Sequence, residues 1–346
     1  MNVSSLKKTA TFLFVAALFT LLSCKKDAVH ISSDFEGLKV PSHFALPHYS
    51  NPENPITKNG FELGRRLFYD PILSRDSTIS CGSCHAQVHG FADHNVALSK
   101  GIDGKKGTRN TPALSNLAWQ PAFMHDGGIN HLEIMPLAPI TNPVEMDEDL
   151  AHVVEKLNRN ATYRALFRAA FQVDEIKSKH LFFALAQFQS MLVSANSRYD
   201  KYVLGTDDFT PEEERGLALF RTHCASCHQE PLTTDYTYVN MGLDMHSADP
   251  GRALITLNPA DSGKFKVPSL RNVGLTHPYM HDGRFYTLQM VLDHYSEGIK
   301  QNGRLDTRLS APLYLSPQEK EDIIAFLHTL TDYQFMADSR FSEPRN

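Results

Sequence analysis

Two copies of one pentapeptide, Cys81-Gly-Ser-Cys84-His85 and Cys224-Ala-Ser-Cys227-His228, take four of the five cysteines in this 346-residue chain. Each run offers two thiols for thioether bonds to a porphyrin and an adjacent imidazole as axial iron ligand. A zinc site would need the thiolates of a pair to converge on one ion, and a redox dithiol has no use for a histidine at the same place twice. The pattern predicts two covalently attached haem c groups, bound through Cys81, Cys84, Cys224 and Cys227, with His85 and His228 on iron.

The fifth cysteine bears on location. Lys7 and Lys8 precede an apolar run from Phe12 to Leu22, and Leu21-Leu22-Ser23-Cys24 closes it. The run is short for a transmembrane helix, and a small residue before a cysteine fits a bacterial lipoprotein signal. Residues 1–23 are therefore expected to be removed, leaving Cys24 lipidated and the protein anchored on the periplasmic side of a bacterial membrane by lipid alone. The formal charge is −5, and it becomes more negative once Lys7 and Lys8 leave, which argues against nucleic acid as a partner.

Few β-branched runs and many helix formers predict a mainly α chain, long enough after the signal for two domains. Residues 24–56 read as a lipidated tether and irregular arm. A helix is expected from about Lys58 to Tyr69, ended by Pro71, and a long helical stretch from about Met146 to Tyr202. Thr210 ahead of Pro211-Glu212-Glu213-Glu214 starts another helix, with a capping hydroxyl and acids in the first turn. That places a boundary near 205, between domains 57–205 and 206–346.

The halves match beyond their cysteines. Thr111-Pro112-Ala113-Leu114-Ser115-Asn116 aligns with Val267-Pro268-Ser269-Leu270-Arg271-Asn272, and in the same gapless register Met124-His125-Asp126-Gly127 aligns with Met280-His281-Asp282-Gly283. The expected fold is two cytochrome c-like domains related by duplication, each with its own haem.

With these elements, plus Asn142-Pro143-Val144-Glu145-Met146, the chain resembles the bacterial di-haem cytochrome c peroxidases, a family that includes the MauG branch. The resemblance spans about residues 58–330. It implies an enzyme that reduces hydrogen peroxide to water at the N-terminal haem, while the C-terminal haem takes electrons from a small donor, a cytochrome c or a copper protein. Members often form dimers.

The family's distal ligand to the electron-transfer haem lies fourteen residues past the second His-Asp-Gly histidine, as Met in ordinary members and Tyr in the MauG branch. Here that position is Tyr295, and its register partner in the first half is Pro139. A phenolate can bind ferric iron and a proline cannot, so the second haem is expected to be capped and the first open. His294 and Met290 are alternative ligands, and Tyr295 as a packed aromatic is another reading. A tyrosinate should lower the haem potential relative to Met. The histidine that closes the peroxide haem in ordinary members is replaced by Gly101, and His89 and His94 read as surface or supporting residues.

Peroxide cleavage moves a proton from one oxygen to the other, which needs an acid–base group over the haem. The resemblance assigns that role to Glu145, with burial expected to raise its pKa. The alternative is an acid complementing a helix N-terminus, as Asp147 and Glu148 are read. Two departures stand out: Met135 replaces a distal glutamine, and His125 replaces a tryptophan between the haems, the only tryptophan being Trp119. The resemblance also implies a calcium ion between the domains, at Asn110 and the carbonyls of Thr276 and Pro278, in an oxygen shell suited to that ion. Competing functions are a MauG-like oxidase acting on a protein substrate and a non-enzymatic di-haem electron carrier.

Overall fold

A computed structural model describes residues 35–345; Cys24 and the signal before it lie outside the described residues. From Glu36 onward the chain forms one compact unit. In order, its helices are α1 (Lys58–Tyr69), α2 (Cys81–Cys84), α3 (Leu137–Thr141), α4 (Leu150–Arg159), α5 (Ala161–Phe171), α6 (Ser178–Ser190), α7 (Arg198–Val203), α8 (Pro211–His223), α9 (Ala253–Thr256), α10 (Leu288–Asp293), α11 (Pro317–Thr329) and α12 (Tyr333–Ala337). The only sheet among the described residues is a ladder between β1 (Tyr238–Val239) and β2 (Phe265–Lys266), with Tyr238 opposite Lys266.

α1 forms where expected because Thr57 caps it, accepting from the Gly60 amide at 3.1 Å, and because Phe61, Leu63, Leu67 and Phe68 share a buried face. The face packs on α6. A Cβ at Gly64 would overlap the Ala184 carbonyl, so glycine is what lets the helices approach this closely. α8 and α11 repeat the arrangement: Thr210 caps α8, and a Cβ at Gly216 would overlap the Asp322 carbonyl.

The helical stretch expected from about Met146 to Tyr202 is divided among four helices, α4 to α7. Asn160 ends α4 and caps α5 by accepting from the Thr162 and Tyr163 amides, and Gln172 takes a left-handed φ of 58° after α5. Side-chain capping competes with helix continuation at Asn160, and a left-handed backbone cap ends the helix at Gln172, whose amide donates to the Arg168 carbonyl.

The repeated Pro-x-Leu-x-Asn segments have one backbone reason. Asn116 and Asn272 both sit at left-handed φ, 57° and 64°. Asn116 exchanges two bonds of 3.0 Å with the Ser194 backbone, and Asn272 accepts from the Asp332 amide at 2.8 Å and donates to Ser194 Oγ at 3.1 Å. Asparagine tolerates this region and supplies a donor and an acceptor, so each segment is pinned to the chain leaving its long helix. The Met-His-Asp-Gly turns repeat as well, with φ of 67° and 73° at Met124 and Met280.

Residues 36–56 are irregular, as expected, yet they are packed rather than a free tether. His43 Nε2 meets Asp200 Oδ1 at 2.7 Å, and Phe44 meets Trp119 edge-on at 5.3 Å. Asp200 in turn holds the fully buried Arg271 through two bonds of 2.7 and 2.8 Å. Arm, first half and second half thus share one buried charge cluster.

Candidate haem sites

In both motifs the histidine is fixed by a carbonyl five or six residues on. His85 Nδ1 bonds the Phe91 carbonyl at 2.9 Å, and His228 Nδ1 bonds the Thr233 carbonyl at 3.0 Å. Donation from Nδ1 selects the tautomer whose Nε2 lone pair is free to bind iron. All four motif cysteines are partly buried and none is in a disulfide, and α2 holds Cys81 and Cys84 one turn apart. Two buried polar atoms in the second half, His281 Nδ1 and Ser296 Oγ, have no partner in the protein. Cysteine pairs beside iron-ready imidazoles, with buried polar atoms left over, fit haem with its carboxylate-bearing edge.

Glu145 lies close enough to the first motif for its charge to act on the motif's thiols. Burial pushes the Cys81 thiol up to about 12 and the Cys84 thiol up to about 11, and the nearby Glu145 carboxylate contributes to both shifts. Burial raises the Glu145 carboxyl in turn, opposed by the Asn142 side-chain amide, which donates to Oε1 at 2.7 Å. Asp147 and Glu148 are engaged elsewhere: Asp147 pairs with Arg75, and Glu148 accepts from Lys156 at 2.6 Å and contacts His152 at 3.0 Å. Met135 is buried and offers no donor to a bound oxygen.

Tyr295 faces the second motif. Burial, and then the Cys224 and Cys227 sulfurs, push its phenol above the ordinary value. α10 ends at Asp293, and the chain continues as a π turn over His294–Gly298. Such a turn re-aims side chains relative to a continuing α-helix and is frequent at functional sites. His294 bonds the Met241 carbonyl through Nε2 at 2.9 Å, and Met290 is partly exposed, so both alternative ligands have other surroundings.

The remaining candidates lie where the halves meet. His125 Nε2 donates to the Asn110 carbonyl at 2.8 Å, and burial pushes its imidazole down to about 4. The Asn110 amide donates to the His281 carbonyl at 2.7 Å, while its side-chain nitrogen serves the Val96 and Ala97 carbonyls. The Asn95 amide donates to the His277 carbonyl at 3.3 Å, bringing the loop that holds Thr276 and Pro278 to the Val96 and Ala97 carbonyls' own loop. Trp119 is committed to the arm, its Nε1 donating to the Ala45 carbonyl at 2.7 Å. His89 and His94 stack on each other at 3.8 Å, and His94 meets His277 at 5.0 Å.

Lys266 carried no signal in the sequence beyond lying two residues before Pro268. Its Nζ donates to Gln120 Oε1 at 2.7 Å and the Ala122 carbonyl at 2.6 Å, and burial lowers its ammonium to about 7. Its backbone amide donates to the His125 carbonyl at 2.7 Å, so it ties the halves twice.

Residues 58–208 match the di-haem cytochrome c peroxidase family and residues 213–331 match cytochrome c. Methylamine utilization protein MauG of Methylorubrum extorquens is 38% identical over 292 residues, 83% of this chain and 81% of that protein. Cytochrome c551 peroxidase of Nitrosomonas europaea is 34% identical over 280 residues, 79% of this chain and 80% of that protein. A solved structure of a MauG-like protein associated with microbial copper homeostasis has a TM-score of 0.81 at 34% identity, covering 89% of this chain and 99% of that one.

Proposed function

This chain belongs to the di-haem cytochrome c peroxidase family, and from that premise we propose that it reduces hydrogen peroxide to water with electrons from a small periplasmic donor, a cytochrome c or a copper protein. In this reading domain 57–205 is the peroxide-cleaving half and domain 206–346 the electron-accepting half. The observation that carries it is the unequal surroundings of two like motifs: an acid, Glu145, reaches the first, and a phenol, Tyr295, reaches the second.

When bound, the haems supply the iron positions and the electrons for breaking the O–O bond. The protein supplies the proton path. Glu145 takes a proton from one peroxide oxygen and returns it to the other, which leaves as water; two electrons and two protons complete a second water. Burial raises the Glu145 carboxyl above the ordinary carboxylate range, which suits a group that both accepts and releases a proton, and Asn142 keeps Oε1 aimed. Gly101 adds no side chain that could close the site. His85 and His228 hold their places through the Phe91 and Thr233 carbonyls.

Tyr295 supports a second reading, an oxidase of the MauG kind that draws electrons from a protein substrate. Peroxide turnover that depends on a reduced donor cytochrome favours the peroxidase, and turnover that proceeds only with an oxidisable protein favours the oxidase. A pure electron carrier gains nothing from an acid beside an open iron. The reading also takes in lipidation at Cys24, a calcium ion at Asn110 and the Thr276 and Pro278 carbonyls, and a homodimer. None of the described helices is long and apolar enough to cross a membrane.

The test is the low-temperature electron paramagnetic resonance spectrum of the fully ferric protein. One high-spin and one low-spin signal is expected, and Tyr295→Phe should remove the low-spin one. Two low-spin signals in the untreated protein would sink the open site and leave a gated peroxidase or a carrier.

A further inference from the structure

The backbone that carries Glu145 is gripped from two sides. On one side lies Gly101, buried so closely that a Cβ there would overlap the carbonyl oxygens of Val144 and Glu145. That approach lets the Ile102 amide donate to the Glu145 carbonyl at 2.7 Å, while the loop closes on itself from the Gly101 amide to the Lys105 carbonyl at 2.8 Å. On the other side the Arg75 amide donates to the Met146 carbonyl at 3.0 Å.

The Arg75 guanidinium then joins the two. It pairs with Asp103 of the glycine loop at 2.7 Å and with Asp147 of the Glu145 segment. Both aspartates have left-handed φ, 55° and 49°. Aspartate is one of the few non-glycine residues that adopt this region, and here one cation pairs with both. Lys105, 3.2 Å from Asp103, is the other charge at this junction, and it does not reach Asp147.

We propose that Arg75 is a positioning residue for Glu145, clamping the loop from Lys100 to Lys106 against the segment from Val144 to Asp147 so that the carboxyl keeps one aim. The inference rests on the reading of Glu145 as the acid–base group. Without the guanidinium, Asp147 loses its cation and Asp103 keeps only Lys105, so nothing ties the two segments through their side chains, the loop lifts from the Glu145 carbonyl, and the carboxyl loses its fixed geometry. An ångström-scale loss of alignment is enough to slow a proton transfer by up to about a hundredfold. A lysine at position 75 brings one point charge where two carboxylates need a fork, so Arg75→Lys should rescue only in part.

The experiment uses the haem-loaded protein with Arg75→Met, Arg75→Lys, Glu145→Gln and the double variant. Hydrogen exchange at the Ile102 amide should quicken about tenfold in Arg75→Met, and kcat for peroxide should fall about tenfold or more with KM little changed. In the Glu145→Gln background, Arg75→Met should lower kcat no further, because a residue acting through Glu145 has nothing left to position. Unchanged exchange at Ile102, or an equal further fall in the double variant, overturns the proposal. If Arg75→Met does not fold, Asp147→Asn opens the same clamp from its other side and is read the same way. Should Glu145→Gln leave peroxide turnover intact, the acid–base reading fails by itself, and the exchange measurement still reports whether the clamp exists.

Discussion

In the first half Gly64 seats a helix crossing, Asn116 pins the following loop, Met124 opens a tight turn and His85 leans on a carbonyl; in the second half Gly216, Asn272, Met280 and His228 do the same. The halves part where side chains come in from outside this frame. Pro139 stands where the second half has Tyr295, and Ser115 stands where it has Arg271. Duplication has kept what shapes a haem-sized cradle and varied what enters it, so the frame explains cofactor attachment and the entrants explain chemistry.

The largest effect should come from exchanging an entrant. Glu145→Gln keeps size and hydrogen bonding but ends proton exchange, and should lower peroxide turnover about 10²- to 10⁴-fold, measured as kcat with a reduced donor. The ferric spectrum should stay as it was. Tyr295→Phe should do the reverse, altering the spectrum of the second site while leaving the acid in place. If both variants change the same signal, the division between the halves is wrong.

The second entrant, Arg271, is structural. It lies fully buried against Asp200, over the Phe44 ring at 4.8 Å, and donates to the Pro231 carbonyl at 2.7 Å. Arg271→Met leaves a buried carboxylate with only the neutral Ser197 donors and His43 as partners, a loss of about 3–5 kcal/mol in denaturant unfolding. Ser115→Ala at the twin position should cost about 1 kcal/mol or less. Equal losses would mean that the arm and the halves are not held by this cluster.

The shared frame should break symmetrically. Gly64→Ala and Gly216→Ala each force a helix pair apart, and each should cost roughly 1–3 kcal/mol. A markedly milder loss at one of them would show that the duplicated crossing matters in only one half.

Much of this frame was legible in the chain itself. The haem motifs, the duplication, the bounds of α1 and the start of α8 all follow from side chains that act locally, through thioether chemistry, capping or a buried stripe. What sequence reasoning missed depends on distant backbone. Gly101 looked like a missing histidine, and its packing against the Glu145 carbonyl shows only in three dimensions. The breaks at Asn160 and Gln172 lie inside a pattern of good helix formers, and the π turn under Tyr295 has no residue signature. The arm looked like linker because its anchors, His43 and Phe44, find their partners at Asp200 and Trp119.

The smallest effect concerns acid. Burial alone would raise the Asp200 carboxyl, yet the Arg271 guanidinium, with help from Ser197, holds it below its ordinary 3.8. A folded-state pKa below the unfolded one gives stability that is present above about pH 4 and is lost as pH falls through the folded value. Without Arg271 that advantage goes, and burial pulls the other way. The acid-unfolding midpoint of Arg271→Met should therefore lie at higher pH than that of the parent, followed by helical circular dichroism. Ser115→Ala should leave the midpoint where it was, because the first half has no carboxylate waiting for a cation at that place. A shift in both variants would assign the acid limb to general loss of stability rather than to Asp200, and would remove the charge cluster from the list of differences between the halves.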